Sequence, residues 1–580
     1  MMRKLFAASF SILLLTGLAA VPAWAVTPEN VTTVSRVTGK TQPADDFPNP
    51  NQTHSNYHVW GTDLGIMWDG GNGKIMIAFG DTDGSAAVPD WRSNTLAIST
   101  DTLPADGLAI DTMIQNPPGR AKQIIPSKKI NNDEITVIPT AGITVGTRHY
   151  IHFMSVKHWG TDGNWLTNYA GIAYSDDDGL TWTKDANARW MNDATGSSRF
   201  QQAAFVKDGG YVYMYTTKNG RVGNIFLTRV PEADMLDKAS YEYWSGNGWT
   251  LNDEAAAKPV AMGPAGEMSV AYNSHFDKWF MAYKNKARQA LVIREADEPT
   301  GPWTGEKIVK RGAGLYGPFI HPWYNDGDEL YFTMSRWRPE YNVFFMKADL
   351  VEDSLEGNLL SDPGFEDQLA DEAAAPWYAA GSAVMERSLG LSYAGANNVL
   401  LSGTTGTHAI KQQVALEPNT TYTLKGRFHS SANNANGYLG ARLTGGGAIL
   451  NEKGFGALSS YTEQSVAFTT NDIAIVEIYA GMTAGGDEAW VRADDLTLTK
   501  GVDFAGLRQL TEAYAEQEGI ATALKAKLSA AEGEQARGNA LASNKLLNAY
   551  IHQVRAQLGK AIEPDDAGRL IQFAEQLKEQ

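Results

Sequence analysis

The chain has 580 residues, too many for one hydrophobic core, with ordinary apolar (43%) and slightly low charged (20%) content, so several folded domains are expected and a mainly disordered chain is excluded. The net charge of −17 repels phosphate backbones and argues against nucleic acid as a partner. There is no cysteine, which excludes disulfide staples, cysteine-based zinc sites and thiol nucleophiles.

Residues 1–25 read as a targeting segment. Arg3 and Lys4 precede an apolar run from Leu5 to Ala20, and Ala23-Trp24-Ala25 is a small-x-small cleavage site. A secreted chain maturing near Val26, extracellular or periplasmic, is the expectation. No later segment is apolar over the length that crosses a bilayer, so no membrane span is expected.

Residues 30–352 carry five strand-length runs rich in aromatic and β-branched residues: Lys74 to Thr82, His149 to Val156, Tyr211 to Thr217, Lys278 to Asn285 and Glu329 to Trp337. They recur about every 50 to 70 residues, the spacing of propeller blades. The segment Ser175 to Trp182 (SDDDGLTW) fits the Asp-box turn of sialidase-like propellers. Asp177 can bond turn amides, Gly179 supplies a positive φ, and Trp182 packs between strands. That is a folding device, remote from chemistry. Glu295 to Trp303 reads as the equivalent hairpin of a later blade. The fold class expected is mainly β: a five-bladed propeller, then a jelly-roll β-sandwich over 357–500, then a small helical bundle over 502–580. The sandwich rests on alternating strands such as Pro418 to Phe428 and Tyr461 to Thr470. The bundle rests on Leu547, Tyr550, Ile551, Val554 and Leu558 falling on one helix face, with Pro564 in a first turn.

Cleaving a glycoside needs two carboxyl groups facing each other across the sugar. Asp63, in WGTDLGIMW, and Asp81, in IAFGDTDG, each stand at the edge of an apolar strand, where desolvation raises a carboxyl pKa. An Asp beside Gly more often caps a turn, and spacing alone favours that reading. Glu267 enters an apolar run in PAGEMSVAYN, an awkward place without a partner such as an Arg. Arg92 and Asn94 (WRSN) and Tyr316 and His321 (LYGPFIHPW) are candidate sugar binders. No metal or phosphate motif is present, so carboxylate hydrolase chemistry is the simplest enzyme reading, with no catalytic cofactor.

Taken in order, GTDLG, FGDT, WRSN, YTTKNGRVG, GEMSVAYN and YGPF resemble a propeller family long catalogued only as a domain of unknown function, whose members are recognised as endo-D-arabinanases. The resemblance covers roughly residues 50 to 350. It implies an endo-acting glycoside hydrolase on D-arabinofuranan, as in arabinogalactan and lipoarabinomannan, with a catalytic pair at Asp63 and Asp81 and Glu267 as a third member. Residues 358–366, 376–377, 412–427 and 491–498 resemble carbohydrate-binding modules of the family 4/9 jelly-roll type. That implies a structural calcium with Glu366 and Asp495 as carboxylate ligands, against the plainer reading of a salt bridge or turn cap. Trp377 and Tyr438 are candidate sugar platforms there. The stretch Leu546 to Ile562 resembles the helical module named for its FIMAH motif, with Tyr550-Ile551-His552-Gln553 in its place. A spacer or attachment domain contacting a cell-surface or wall component is expected. A lectin-like propeller is the runner-up function. A sialidase ranks low, since no Arg-Ile-Pro start is present.

Overall fold

A computed structural model describes residues 25–85, 90–161, 163–353, 357–472, 475–515 and 517–578. The leader segment read at 1–25 lies outside these residues except for Ala25. Five antiparallel blades follow one another. Blade one is Leu64–Gly71, Lys74–Phe79, Thr95–Ser99 and Thr112–Met113. Blade two is Thr136–Val145, Arg148–Trp159, Trp165–Ser175 and Thr183–Met191. Blade three is Gln202–Asp208, Tyr211–Thr217, Gly223–Pro231 and Glu242–Trp244. Blade four is Pro259–Asn273, Lys278–Asn285, Ala290–Ala296 and Lys307–Arg311. Blade five is Leu315–Ile320, Glu329–Arg336, Asn342–Asp353 and, from the other end of the propeller sequence, Ala25–Arg36. The first strand of each blade packs on the first strand of the next, and blade five returns to blade one. The ring is therefore closed around a central channel.

The five apolar runs seen in the sequence are the second strands of the five blades. Each is sandwiched between neighbouring sheets, so both faces are apolar and the run is continuous; Lys278–Asn285 is buried at every position. Ring closure depends on Ala25–Arg36 pairing with Asn342–Asp353. Its last residue, Arg36, is fully buried and pairs with Asp45 at 2.7 Å and Glu340 at 2.8 Å. The closing strand thus takes in residues 25–29, ahead of the boundary expected at 30.

Beyond the ring, Asn397–Ala415 and Ile475–Lys500 are long partners that run through both layers of a sandwich. One half of Ile475–Lys500 pairs with Gly437–Leu443, the other with Thr421–Ser430. Both layers close on one core that includes Trp377, Tyr422, Phe428 and Ile478. Trp377 is 1% exposed and its indole donates to the Asp362 carbonyl, so it is core and no sugar platform. Tyr438 packs edge-on to Tyr479. Helices Phe504–Tyr514, Glu518–Ala536, Ala540–Gln557 and Pro564–Gln576 form the C-terminal bundle around Leu507, Leu524, Leu528, Leu547 and Val554. Leu558, placed on the buried face by periodicity, follows the third of these helices and is exposed.

Of the two residues expected to hold calcium, Glu366 is engaged in a turn. Glu366 Oε1 accepts the amides of Ala396 and Asn397, at 2.8 and 2.9 Å, and caps that turn. Asp494, the neighbour of Asp495, does the same for Tyr393 and Ala394. Among the described residues no group of three or more His, Asp or Glu side chains is arranged to hold a metal.

Candidate active site

One mouth of the channel opens into a cavity of about 650 Å³, lined from all five blades. Side chains reach it from the first strands, from the ends of the second strands and from the hairpins that follow them. Asp63 and Asp81 both come from blade one and both line it.

Asp63 is aimed by an irregular strand start. Leu64 and Gly65 both take positive φ, +70° and +75°, which costs a Leu energy and persists only where neighbours hold it. Leu64 N–H donates to Ser335 Oγ at 2.7 Å, and Thr333 Oγ1 donates to the Gly65 carbonyl at 2.8 Å. Gly80 clears the space beside the carboxyl, since a Cβ there would collide with Asp63 Oδ1. Oδ2 accepts the Tyr316 hydroxyl at 3.0 Å. Burial and the neighbouring Asp81 push the Asp63 carboxyl up to about 7, against the hydroxyls of Tyr341 and Tyr316, which favour its charge. Tyr341 lends only its proximity, because its hydroxyl is donated to the Asp81 carbonyl at 3.1 Å and Asp63 Oδ1 has no well-aligned donor.

Asp81 is better satisfied. Its Oδ1 accepts Thr136 Oγ1 at 2.6 Å and the Trp91 indole at 2.8 Å. Lys129 stacks 3.7 Å from the centre of the Trp91 ring and adds positive charge nearby. Burial still dominates and holds the Asp81 carboxyl up at about 6. Both aspartates are ringed by protein atoms yet keep part of their surface open to the cavity.

Beside Tyr316 the charge reverses. Arg221 of blade three binds Glu267 of blade four through both carboxylate oxygens, at 2.7 to 3.1 Å. The same guanidinium lies 4.6 Å over the Tyr316 ring. Glu267 therefore lines the same cavity as the aspartates, held in a salt bridge. Lys284 stands beside them, its ammonium pushed down to about 8 by burial and by Arg221.

The other sequence candidates lie elsewhere. Arg92 is buried outside the cavity lining and donates to the carbonyls of Ala121 and His58. Asn94 is fully buried, donating to Ile125 and Val137 carbonyls and accepting the amides of Ile124 and Ile125. Both tie loops to the scaffold, so neither presents a free group to a sugar. His321 is buried, pushed down to about 3 by desolvation, and its Nδ1 accepts the amides of Trp323 and Tyr324. Tyr316 alone of these four reaches the cavity. The Asp-box forms as read: Asp177 Oδ1 accepts Thr181 N–H at 2.8 Å, and the Trp182 indole donates to the Gly179 carbonyl. It joins the third and fourth strands of blade two, at the end of the sheet away from the cavity. Sequence reasoning missed Arg221, Thr136, Trp91, Lys129 and Tyr341. Arg221 was findable, because an acid entering an apolar strand requires a cation and the KNGRVG hairpin offers one.

A family model described as a domain of unknown function, DUF4185, matches residues 48–347, more than half of the chain. The chain belongs to the DUF4185 family. Notoamide biosynthesis cluster protein J of Aspergillus sp. (strain MF297-2) is 33% identical over 311 residues, covering 49% of this chain and 82% of that protein. Its counterpart J' of Aspergillus versicolor is 33% identical over 303 residues, covering 48% and 82%. Among solved structures, the exo-β-1,3-galactanase of Phanerochaete chrysosporium matches at 11% identity with a TM-score of 0.35, over 81% of this chain and all of that one. The DUF4185 region holds all five first strands and every cavity residue named above, but begins after the closing strand Ala25–Arg36.

Proposed function

We propose that this DUF4185 protein is a secreted glycoside hydrolase that cuts D-arabinofuranosyl linkages inside a cell-wall-type arabinan. One observation carries the reading: Asp63 and Asp81 share one cavity, and their surroundings raise both carboxyls towards neutral pH. Asp81 accepts two hydrogen bonds that stabilise its charge, so it ionises first and supplies the electron pair, directly or through a water. Asp63 keeps the proton and gives it to the leaving oxygen. Glu267 positions Arg221 over Tyr316, whose hydroxyl in turn orients Asp63. The sequence motifs carry the choice of D-arabinan. Export rests on the leader: cleavage after Ala25 leaves Val26 first, and its N–H already donates to the buried Glu295 at 3.1 Å, a ready counter-charge for a new ammonium.

The deciding experiment incubates the exported, N-terminally sequenced enzyme with D-arabinan and with L-arabinan. Oligosaccharides released from D-arabinan are the expected result. Release from L-arabinan alone overturns the substrate, and binding without release makes the propeller a lectin.

The pair also sets a pH profile. One carboxyl must be ionised and the other protonated, so kcat/KM should peak between about pH 6 and 7, with limbs that belong to the coupled pair. In Thr136→Val, Asp81 loses a donor to its charged form and its pKa rises. The acid limb is expected to move up by about half a pH unit, with the alkaline limb less affected. An unmoved acid limb would show that Asp81 is not the ionised partner.

A further inference from the structure

The ends of the second strands occupy equivalent places around the cavity. Blade one puts Asp81 there, blade four Lys286, and blades two and five put Trp159 and Trp337. Blades two and five are the two neighbours of blade one in the ring. The two tryptophans therefore stand on either side of the blade that carries Asp63 and Asp81.

Both indoles are open. Trp159 is 41% and Trp337 46% exposed. Only one other exposed tryptophan is found among the described residues, Trp60, and it does not line the cavity. Both are also held. Trp159 meets Trp165 edge-on, with centroids 5.5 Å apart. Trp337 donates its backbone N–H to the Gly314 carbonyl at 3.1 Å, and Arg338 lies 4.2 Å from its ring centre. A fixed, exposed aromatic at a cavity rim leaves apolar surface in water until a ligand covers it. Furanose rings offer apolar C–H faces that do so, while their hydroxyls stay wet.

We infer that Trp159 and Trp337 are stacking platforms for furanose residues on the two sides of the scissile linkage. A polymer then lies across blade one, over the aspartates, and is cut internally. This rests on the hydrolase reading above and adds to it the residues that make cleavage endo-acting.

The test compares D-arabinan with a short aryl D-arabinofuranoside. In Trp159→Ala and in Trp337→Ala, the ratio of kcat/KM on polymer to that on the short substrate is expected to fall about fivefold, mainly through KM. Trp159→Phe and Trp337→Phe should recover most of the loss, which a merely structural role would not require. Binding is read separately in Asp63→Asn, by quenching of tryptophan fluorescence with D-arabinan, and Trp159→Ala in that background should weaken it about fivefold. If the parent enzyme cuts D-arabinan and the ratio is unchanged in both alanine variants, the platforms are wrong. If D-arabinan binds through the tryptophans but is not cut, the hydrolase reading fails and the platforms stand. If it neither binds nor is cut, both fall.

Discussion

Asp63→Asn is expected to lower kcat on D-arabinan by about 10²- to 10⁴-fold, the usual contribution of a positioned general acid. The same substitution should leave the propeller more stable above pH 7. The Asp63 carboxyl sits at about 7 in the folded chain against an ordinary 3.8. Between those values the native state holds a proton that the unfolded chain has lost, so stability falls as pH rises through that window. Asparagine removes the fall. Because the carboxyl keeps a wet face, the gain at pH 8 is set at on the order of 2 kcal/mol, less than the full shift implies. At pH 4 the two proteins should melt together. Thermal unfolding at both pH values, beside the rate, separates a missing catalyst from a damaged fold. An inactive variant that is also less stable at pH 8 would count against the acid assignment.

The second large effect lies at the junction of propeller and sandwich. Glu306 is buried between two blade-four arginines, Arg288 at 3.1 Å and Arg294 at 3.4 Å. It also accepts the Tyr283 hydroxyl at 2.6 Å and the Asn285 amide at 2.8 Å. Its own N–H donates to Ser361 Oγ of the sandwich, and Arg288 reaches across to pair with Asp367. Burial alone pushes the Glu306 carboxyl up, but the two arginines outweigh it, and the net shift is below the ordinary 4.5. Glu306→Ala leaves the buried Arg294 guanidinium without a carboxylate and leaves Arg288 with Asp367 alone, a loss of about 3 to 5 kcal/mol. The expected readout is a marked drop in the melting temperature of the propeller, present from neutral pH down to below pH 4.5. This window runs opposite to that of Asp63, because a depressed carboxyl contributes its stability above its folded pKa. A variant that melts with the parent at pH 7 would mean that the junction is not held by this network.

Much of the ring was legible for a simple reason. Second strands such as Tyr211–Thr217 and Lys278–Asn285 are covered on both faces, so their burial is written as uninterrupted apolar runs. First strands line a channel, carry polar groups such as Glu267 and Thr140, and leave no such run. The closing strand Ala25–Arg36 was invisible because its partner, Asn342–Asp353, lies at the far end of the propeller sequence. Arg92 and Asn94 misled because a polar side chain in a loop motif looks the same whether it faces a ligand or a buried carbonyl.

The sequence by itself determined a β-rich chain with blade-length recurrence and an Asp-box turn at Ser175 to Trp182, because local chemistry is enough for strands and tight turns. It also picked out the acids Asp63, Asp81 and Glu267 as misfits in apolar surroundings. Only the tertiary structure decided how those acids are placed and what surrounds them. Ring closure brings five blades to one mouth, leaves Asp63 and Asp81 together in a desolvated cavity that raises both, and sets Arg221 against Glu267, so that one acid is ion-paired and the other two carboxyls are raised.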